Sequence, residues 1–291
     1  MLQCDDPECP TDPSNLVWRA AERVWKASGR RGTLRDVEIR LAKRIPLRAG
    51  LGGGSSDAAA ALAALGSLWR VKDGSLREIA PSLGADVPYF LAGGTALGLD
   101  RGDVVYPLVD YPPAWVTLVL PSFGVSAKDA YEWWDEIGGS NRLRASGASA
   151  SLAEARKEVL RAEAERTRPT EVGRTLLGPP SDLQNDLQGP VVAHHPEIAR
   201  IVSALREAGA FHAAMSGSGP AVFGLFGRRP AAERAARALS KRARAMFGPE
   251  RGGPQSILVT RTINRAMYQR LAGIVAHRIN LPFAPRSLGH S

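Results

Sequence analysis

Hydrophobic positions change their period repeatedly along this chain. Over 15–28, NLVWRAAERVWKAS places Leu16, Ala20, Val24 and Trp25 at helical spacing and predicts an amphipathic helix. In DVEIRLAKRIP, residues 36–46, Val37, Ile39 and Leu41 alternate with polar neighbours up to Pro46, the pattern of a strand with one buried face. A glycine-rich turn follows, and SSDAAAALAALGSLW then predicts an alanine-rich helix capped by Ser55 or Ser56 and Asp57. The order is strand, glycine loop, helix start.

Further along, a helix is expected over 75–83, closed by Gly84, and ADVPYFLAGGTALGLDRGDVVYPL reads as a turn and a strand hairpin. Tyr111, Pro112 and Pro113 interrupt the pattern before the strand-like AWVTLVLP, which sets a domain boundary and divides the chain into 1–113 and 114–272. Residues 138–180 are rich in Ser, Ala, Gly, Arg and Glu and read as a surface insertion with a polar helical stretch over 152–166. Helices over 196–207 and 231–245, a strand after MSGSGP and a last strand at ILVTRTI complete the second domain. Residues 273–291 form a basic tail, and no internal repeat is present. The fold class is α+β with two domains.

Composition narrows the function. Apolar residues make up 44% and charged residues 23% of 291, the balance of a folded globular protein. Cys4 and Cys9 lack a second pair to complete a zinc site, and reduced thiols follow. The acidic start MLQCDDPECPTDP is unlike a signal peptide, and no apolar run long enough to span a membrane occurs, so a cytoplasmic protein without a membrane partner is expected. The net charge of +9 has much of its excess near the end, where no Asp or Glu follows Glu250. Those arginines are scattered, without the interleaved aromatics of a nucleic-acid platform. Attraction for small polyanionic substrates is the better reading, with no nucleic-acid partner.

The segment AGLGGGSSDAAAA, residues 49–61, carries the most chemistry. Gly52, Gly53 and Gly54 let the backbone come close to a phosphate, and the following helix start offers free N–H groups and the positive end of its dipole. A triphosphate suits such a loop. No Lys follows as in a P-loop, and the GxGxxG register breaks at Ser55. Asp86 sits in LGADVPYF among apolar neighbours; it suits a general base that takes the proton of an alcohol, and a turn or cap aspartate is the other reading. In MSGSGPAVFGLF, Ser216, Gly217, Ser218 and Gly219 are small enough to bring a second backbone wall to the phosphates or to the first glycine loop. The GxSxG elbow of serine hydrolases is not matched there. His194, His195 and His212 lack a metal-like set of partners and are expected at the surface or in packing. Tyr131, Trp133 and Trp134 follow a strand and suit stacking on a flat ring, with core packing the alternative for Trp133 and Trp134.

Taken in order, KRIPLRAGLGGGSSDAAAAL, LGADVPYFLAGGTALGLDRGD and MSGSGPAVFGLF resemble the GHMP family of small-molecule kinases. With SNLVWRAA and NDLQ, the resemblance narrows to members that act on a methylerythritol carrying a cytidine diphosphate. It implies a first domain like the second domain of ribosomal protein S5 and a ferredoxin-like second domain. It further implies ATP and Mg2+, the phosphates held by Gly50, Leu51, Gly52, Gly53, Gly54, Ser55 and Ser56, and the adenine near Asn15, Leu16, Lys43 and Pro46. Asp86 would act on the 2-hydroxyl of the methylerythritol, Tyr131 would stack on the cytosine, and residues 216–219 would face the substrate. Ser56 or Asp57 would ligate the metal. The family's leading K-x-N strand and GYH-type segment are not present, which implies that some tens of residues precede Met1 and that the 291-residue form has little activity. Rival readings are a GHMP kinase acting on homoserine, mevalonate or a sugar, an inactive ATP-binding remnant, and a basic RNA-associated protein. A monomer or homodimer is expected.

Overall fold

Two separate clusters of buried side chains organise the chain, one in each half. The computed structural model describes residues 1–138, 184–247 and 254–272. The insertion expected over 138–180, apart from Gly138, its helical stretch and the basic tail lie outside the described residues.

In the first half, β1 (Leu2–Cys4) pairs in parallel with β2 (Ile39–Leu41), and between them runs α1 (Leu16–Ala27). Asn15 caps α1 by accepting a hydrogen bond of 2.8 Å from the Val17 amide. The helix buries Val17, Ala20, Ala21, Val24 and Trp25. Small residues meet small residues where α1 packs on α2 (Gly53–Leu68), whose Ala58, Ala59 and Leu62 are fully covered. Three further helical pieces follow: α3 (Asp73–Ile79), a 3₁₀ turn (Ala80–Ser82) and α4 (Val87–Ala92). The hairpin β3 (Ala96–Leu99) and β4 (Val104–Pro107) closes this half.

The second half is a four-stranded antiparallel sheet in the order β6-β7-β5-β8, built from β5 (Trp115–Pro121), β6 (His212–Met215), β7 (Val222–Phe226) and β8 (Pro254–Arg261). Helices α5 (Ala127–Glu136), α6 (Gln188–His194) and α7 (Glu197–Glu207) lie between β5 and β6, and α8 (Arg229–Phe247) between β7 and β8. This is the split β-α-β arrangement of ferredoxin-like domains, as expected. The buried hydroxyl of Thr117 donates to the carbonyl of Ala232 at 2.9 Å and fastens the sheet to α8. A short α9 (Arg265–Leu271) then crosses back onto the first half.

Several expectations change. The helix after the glycine loop starts at Gly53 with Gly52 as its cap, so Ser55, Ser56 and Asp57 lie inside its first turns instead of capping it. Gly52 adopts a left-handed φ of 66°, which ends the loop without a side-chain cap. The expected helix over 75–83 is shorter and tightens into the 3₁₀ turn at Pro81. The stretch read as turn and hairpin opens with α4, because Pro88 sits in the first helical turn, where its missing N–H costs nothing.

Candidate active site

Gly52 caps α2 without a side chain, so the amides of Gly53, Gly54 and Ser55 at the helix mouth receive no capping acceptor. Such a helix mouth has the open N–H groups that suit an anion. The glycines also serve the protein's own packing. A β-carbon on Gly52 would meet the ring of Phe90 at 2.6 Å, and one on Gly53 would meet Ile45 at 2.9 Å and the Lys43 ammonium at 3.3 Å. Phe90, from α4, is a neighbour of the loop that sequence reasoning missed; its place in the apolar run VPYFLA resembled ordinary core.

Lys43 does not stand free beside a nucleotide base. Its side chain is 4% exposed and its ammonium binds the Asp57 carboxylate inside the first turns of α2. Ser56 donates its hydroxyl to the Gly53 carbonyl at 2.8 Å. Asn15 is spent on structure: besides capping α1 it donates to the Pro10 carbonyl at 2.5 Å and to Cys9 Sγ at 3.5 Å. Leu16 approaches the β-carbon position of Gly54 at 3.8 Å. Leu16 and Lys43 therefore pack against the first residues of α2, whereas Pro46 lines a cavity between the two halves. Burial and the neighbouring Cys4 push the Cys9 thiol up to about 11.

Asp86 is the N-terminal flank of α4. The expectation of an apolar enclosure is corrected: Val87 and Pro88 turn inward and are buried, while Asp86, at the helix end, is exposed. Its helix nevertheless stands at the loop. Gly84, two residues earlier, has its β-carbon position 3.9 Å from the Ser55 hydroxyl, and Phe90 covers Gly52. The carboxylate is thus carried on the element packed against the open amides.

The second glycine motif meets the first. Ser216 donates its hydroxyl to the Gly50 carbonyl at 3.0 Å, and the Ala221 amide donates to the Ala49 carbonyl at 3.1 Å. Of the two possibilities raised by its small residues, this turn approaches the loop. Gly217 and Gly219 both have left-handed φ, and Ser218 is partly exposed. The turn is held from behind by Asn185, which donates to the carbonyls of Met215 at 2.9 Å and Gly217 at 2.8 Å. Gln188 accepts from the Met215 amide at 2.8 Å. Asn185 and Gln188 both belong to the NDLQ segment.

Beside this junction lies a cavity of about 950 Å³, bounded by Asp6, Glu8 and Arg48 from the first half and by Phe123, Gly124 and Pro220 from the second. Phe123 is the aromatic residue in its lining, and His195 stacks on it with centroids 4.4 Å apart. Tyr131 is 56% exposed on α5 and does not line this cavity. Trp133 packs against the core and stacks on the exposed His194 at 4.0 Å, and His212 is buried in β6, so His194 lies at the surface and His212 in the packing. Among the described residues no cluster of three or more His, Cys, Asp or Glu side chains could hold a metal, and no helix is long and apolar enough to cross a membrane.

Comparison with known proteins matches both halves to one family. Residues 15–94 match the GHMP kinases N terminal domain and residues 160–245 match GHMP kinases C terminal. A protein of Anaeromyxobacter dehalogenans named 4-diphosphocytidyl-2-C-methyl-D-erythritol kinase is 40% identical over 91% of this chain and 76% of its own length. One of the same name from Pelotomaculum thermopropionicum is 39% identical over 90% of this chain and 81% of its own. A crystal structure titled 4-(cytidine 5'-diphospho)-2C-methyl-D-erythritol kinase superposes with a TM-score of 0.55 at 32% identity, covering 83% of this chain and 78% of the other. An uncapped helix mouth faced by an acid-bearing helix and backed by a second glycine turn, on a ferredoxin-like partner domain, agrees with these matches: the chain belongs to the GHMP kinases.

Proposed function

We propose that this chain transfers the γ-phosphate of ATP to the 2-hydroxyl of 4-diphosphocytidyl-2-C-methyl-D-erythritol, a step in non-mevalonate isoprenoid precursor synthesis in the cytoplasm. The relatives' names support the substrate, and the uncapped mouth of α2 supports the phosphoryl donor. That mouth carries the reading: three amides and a helix dipole converge where a triphosphate's charge has to be neutralised.

The amides of Gly53, Gly54 and Ser55 accept phosphate oxygens, and the Ser216 turn keeps the loop from collapsing into the space. Lys43 neutralises Asp57 in the first turns of α2, so the partly exposed carboxylate repels the nucleotide less. Asp86 takes the proton of the acceptor hydroxyl as the phosphoryl group leaves ADP, with no covalent intermediate on the protein. The exposure of Asp86 in this structure suits a base that must meet a substrate arriving from solvent. Phe123 offers an aromatic wall in the cavity where the cytidine end would lie. Ser56 and the Asp57 oxygen not bound to Lys43 are fitting ligands for a magnesium ion, which is mostly held by phosphates and water and needs few protein groups. Such an ion would neutralise charge between the transferred phosphates.

The test is ADP release with a substrate panel. Release dependent on the cytidyl substrate and not on mevalonate or homoserine is expected; equal release with all of them, or none, overturns the assignment. Asp86→Asn should lower kcat by about a hundredfold or more while ATP affinity changes little. Loss of both in proportion would remove Asp86 from the base role.

A further inference from the structure

The last described helix belongs by sequence to the second half, yet its side chains grip the first. Arg265 follows β8 and the cap Asn264, and its guanidinium donates to three carbonyls of the other half: Gly93 at 3.0 Å, Leu108 at 3.2 Å and Thr95 at 2.5 Å. Its amide donates to Asp110 at 2.8 Å, and the other oxygen of that carboxylate accepts from the Thr95 amide at 2.7 Å. One turn on, Tyr268 donates its hydroxyl to the Phe90 carbonyl at 2.6 Å, and its ring fills the space beside Gly93 that a β-carbon would need. Gly93 is the C-cap of α4 and Phe90 lies in its last turn.

Two of these contacts, to Gly93 and Phe90, end on a helix of about one and a half turns, and the others fix the chain that leaves it. The far end of α4 bears Asp86, and its Phe90 ring covers Gly52, the cap of the anion-binding helix. A helix this short has little stability of its own, so whatever fixes its C-terminal end also fixes its N-terminal end. The planar fork of an arginine, engaged with three carbonyls at once, holds a direction as well as a distance.

We propose that Arg265 and Tyr268 are positioning residues for phosphoryl transfer, anchoring α4 so that Asp86 and Phe90 stay aligned with the phosphate loop. The proposal rests on the kinase reading above. It also explains why the chain crosses back after β8: the second domain sets the geometry of the first domain's acid through its last helix.

The experiment compares Tyr268→Phe and Arg265→Lys with the unmodified chain in kcat, KM for each substrate, ATP affinity without acceptor, and thermal midpoint. Tyr268→Phe keeps the ring over Gly93 and deletes only the bond to Phe90; Arg265→Lys keeps the charge and loses the three-way fork. The expected result is a fall in kcat of about fivefold or more, KM for ATP within about twofold, and a midpoint lowered by only a few degrees. Combined with Asp86→Asn, Tyr268→Phe should cause a smaller further loss than it does alone, because part of its effect runs through that acid. Unchanged kcat in either folded variant, or a loss explained wholly by unfolding, overturns the proposal; if Arg265→Lys does not fold, Tyr268→Phe decides alone. An Asp86→Asn variant with full turnover removes the base assignment instead. The anchor is then judged through Phe90 and Gly52 by the same kcat measurement on Tyr268→Phe.

Discussion

Ser216 and Gly50, 166 residues apart in sequence, are joined by a hydrogen bond of 3.0 Å from hydroxyl to carbonyl. Through it the ferredoxin-like half bears on the glycine loop of the other. Gly50 has a left-handed φ of 73°, and a β-carbon there would come within 2.6 Å of the Gly219 backbone.

Gly50→Ala is therefore expected to cost about 2–4 kcal/mol, from the strained backbone and the overpacked junction together. Ser216→Ala, which deletes one bond without a clash, should cost about 0.5–1.5 kcal/mol. Urea unfolding of the two variants checks the order. An Ala at position 50 as mild as the one at 216 would mean the halves separate there easily.

The pair Lys43 and Asp57 is unequally buried, with side chains 4% and 23% exposed. Removing either partner strands the other charge, and the loss is greater for the more enclosed one. Asp57→Asn should thus destabilise by about 3–5 kcal/mol, and Lys43→Met by less. The double variant Lys43→Met with Asp57→Asn should regain part of the loss, which a double-mutant cycle by thermal unfolding measures.

His212 is buried in β6, and burial together with Arg206 lowers its pKa below the ordinary 6.5. The folded state then binds fewer protons than the unfolded state as the pH falls through this range. Stability from this group is complete above about pH 6.5 and is lost as the pH drops toward the folded value. Between pH 7.5 and 5 the melting temperature should fall more steeply for the unmodified chain than for His212→Leu. Parallel curves would remove the histidine from the acid response.

Cys9 is buried with its thiol raised to about 11, so little thiolate forms at pH 8. Alkylation of Cys9 by iodoacetamide at that pH should be much slower in the folded protein than in urea, as read by peptide mass spectrometry. Equal rates would show that the loop carrying it opens freely.

Much of this architecture was legible before folding was considered. The helical spacing of Leu16, Ala20 and Val24 predicted α1, and the glycine run followed by alanines predicted a turn that opens a helix, because both signals are local and repeat within a few residues. The first cap was misread since Ser55, Ser56 and Asp57 are good capping residues; the left-handed backbone at Gly52 ended the loop three residues sooner. Helix α4 was missed because VPYFLA is short and apolar, a run whose period cannot separate helix from strand. Asp86 was expected among apolar neighbours, but a helix end turns Val87 and Pro88 inward and leaves the cap outside.

By itself the sequence determined several of the elements, the two glycine turns and the kinship with a kinase family, all written in residue types at close spacing. Which surfaces meet was decided only by the tertiary structure: Ser216 on Gly50, Lys43 inside the turn of Asp57, Tyr268 under the end of α4. Such pairings join segments far apart in the chain, and no local period encodes them. They arise when two cores, each burying its own apolar face, leave few ways to close the backbone groups between them.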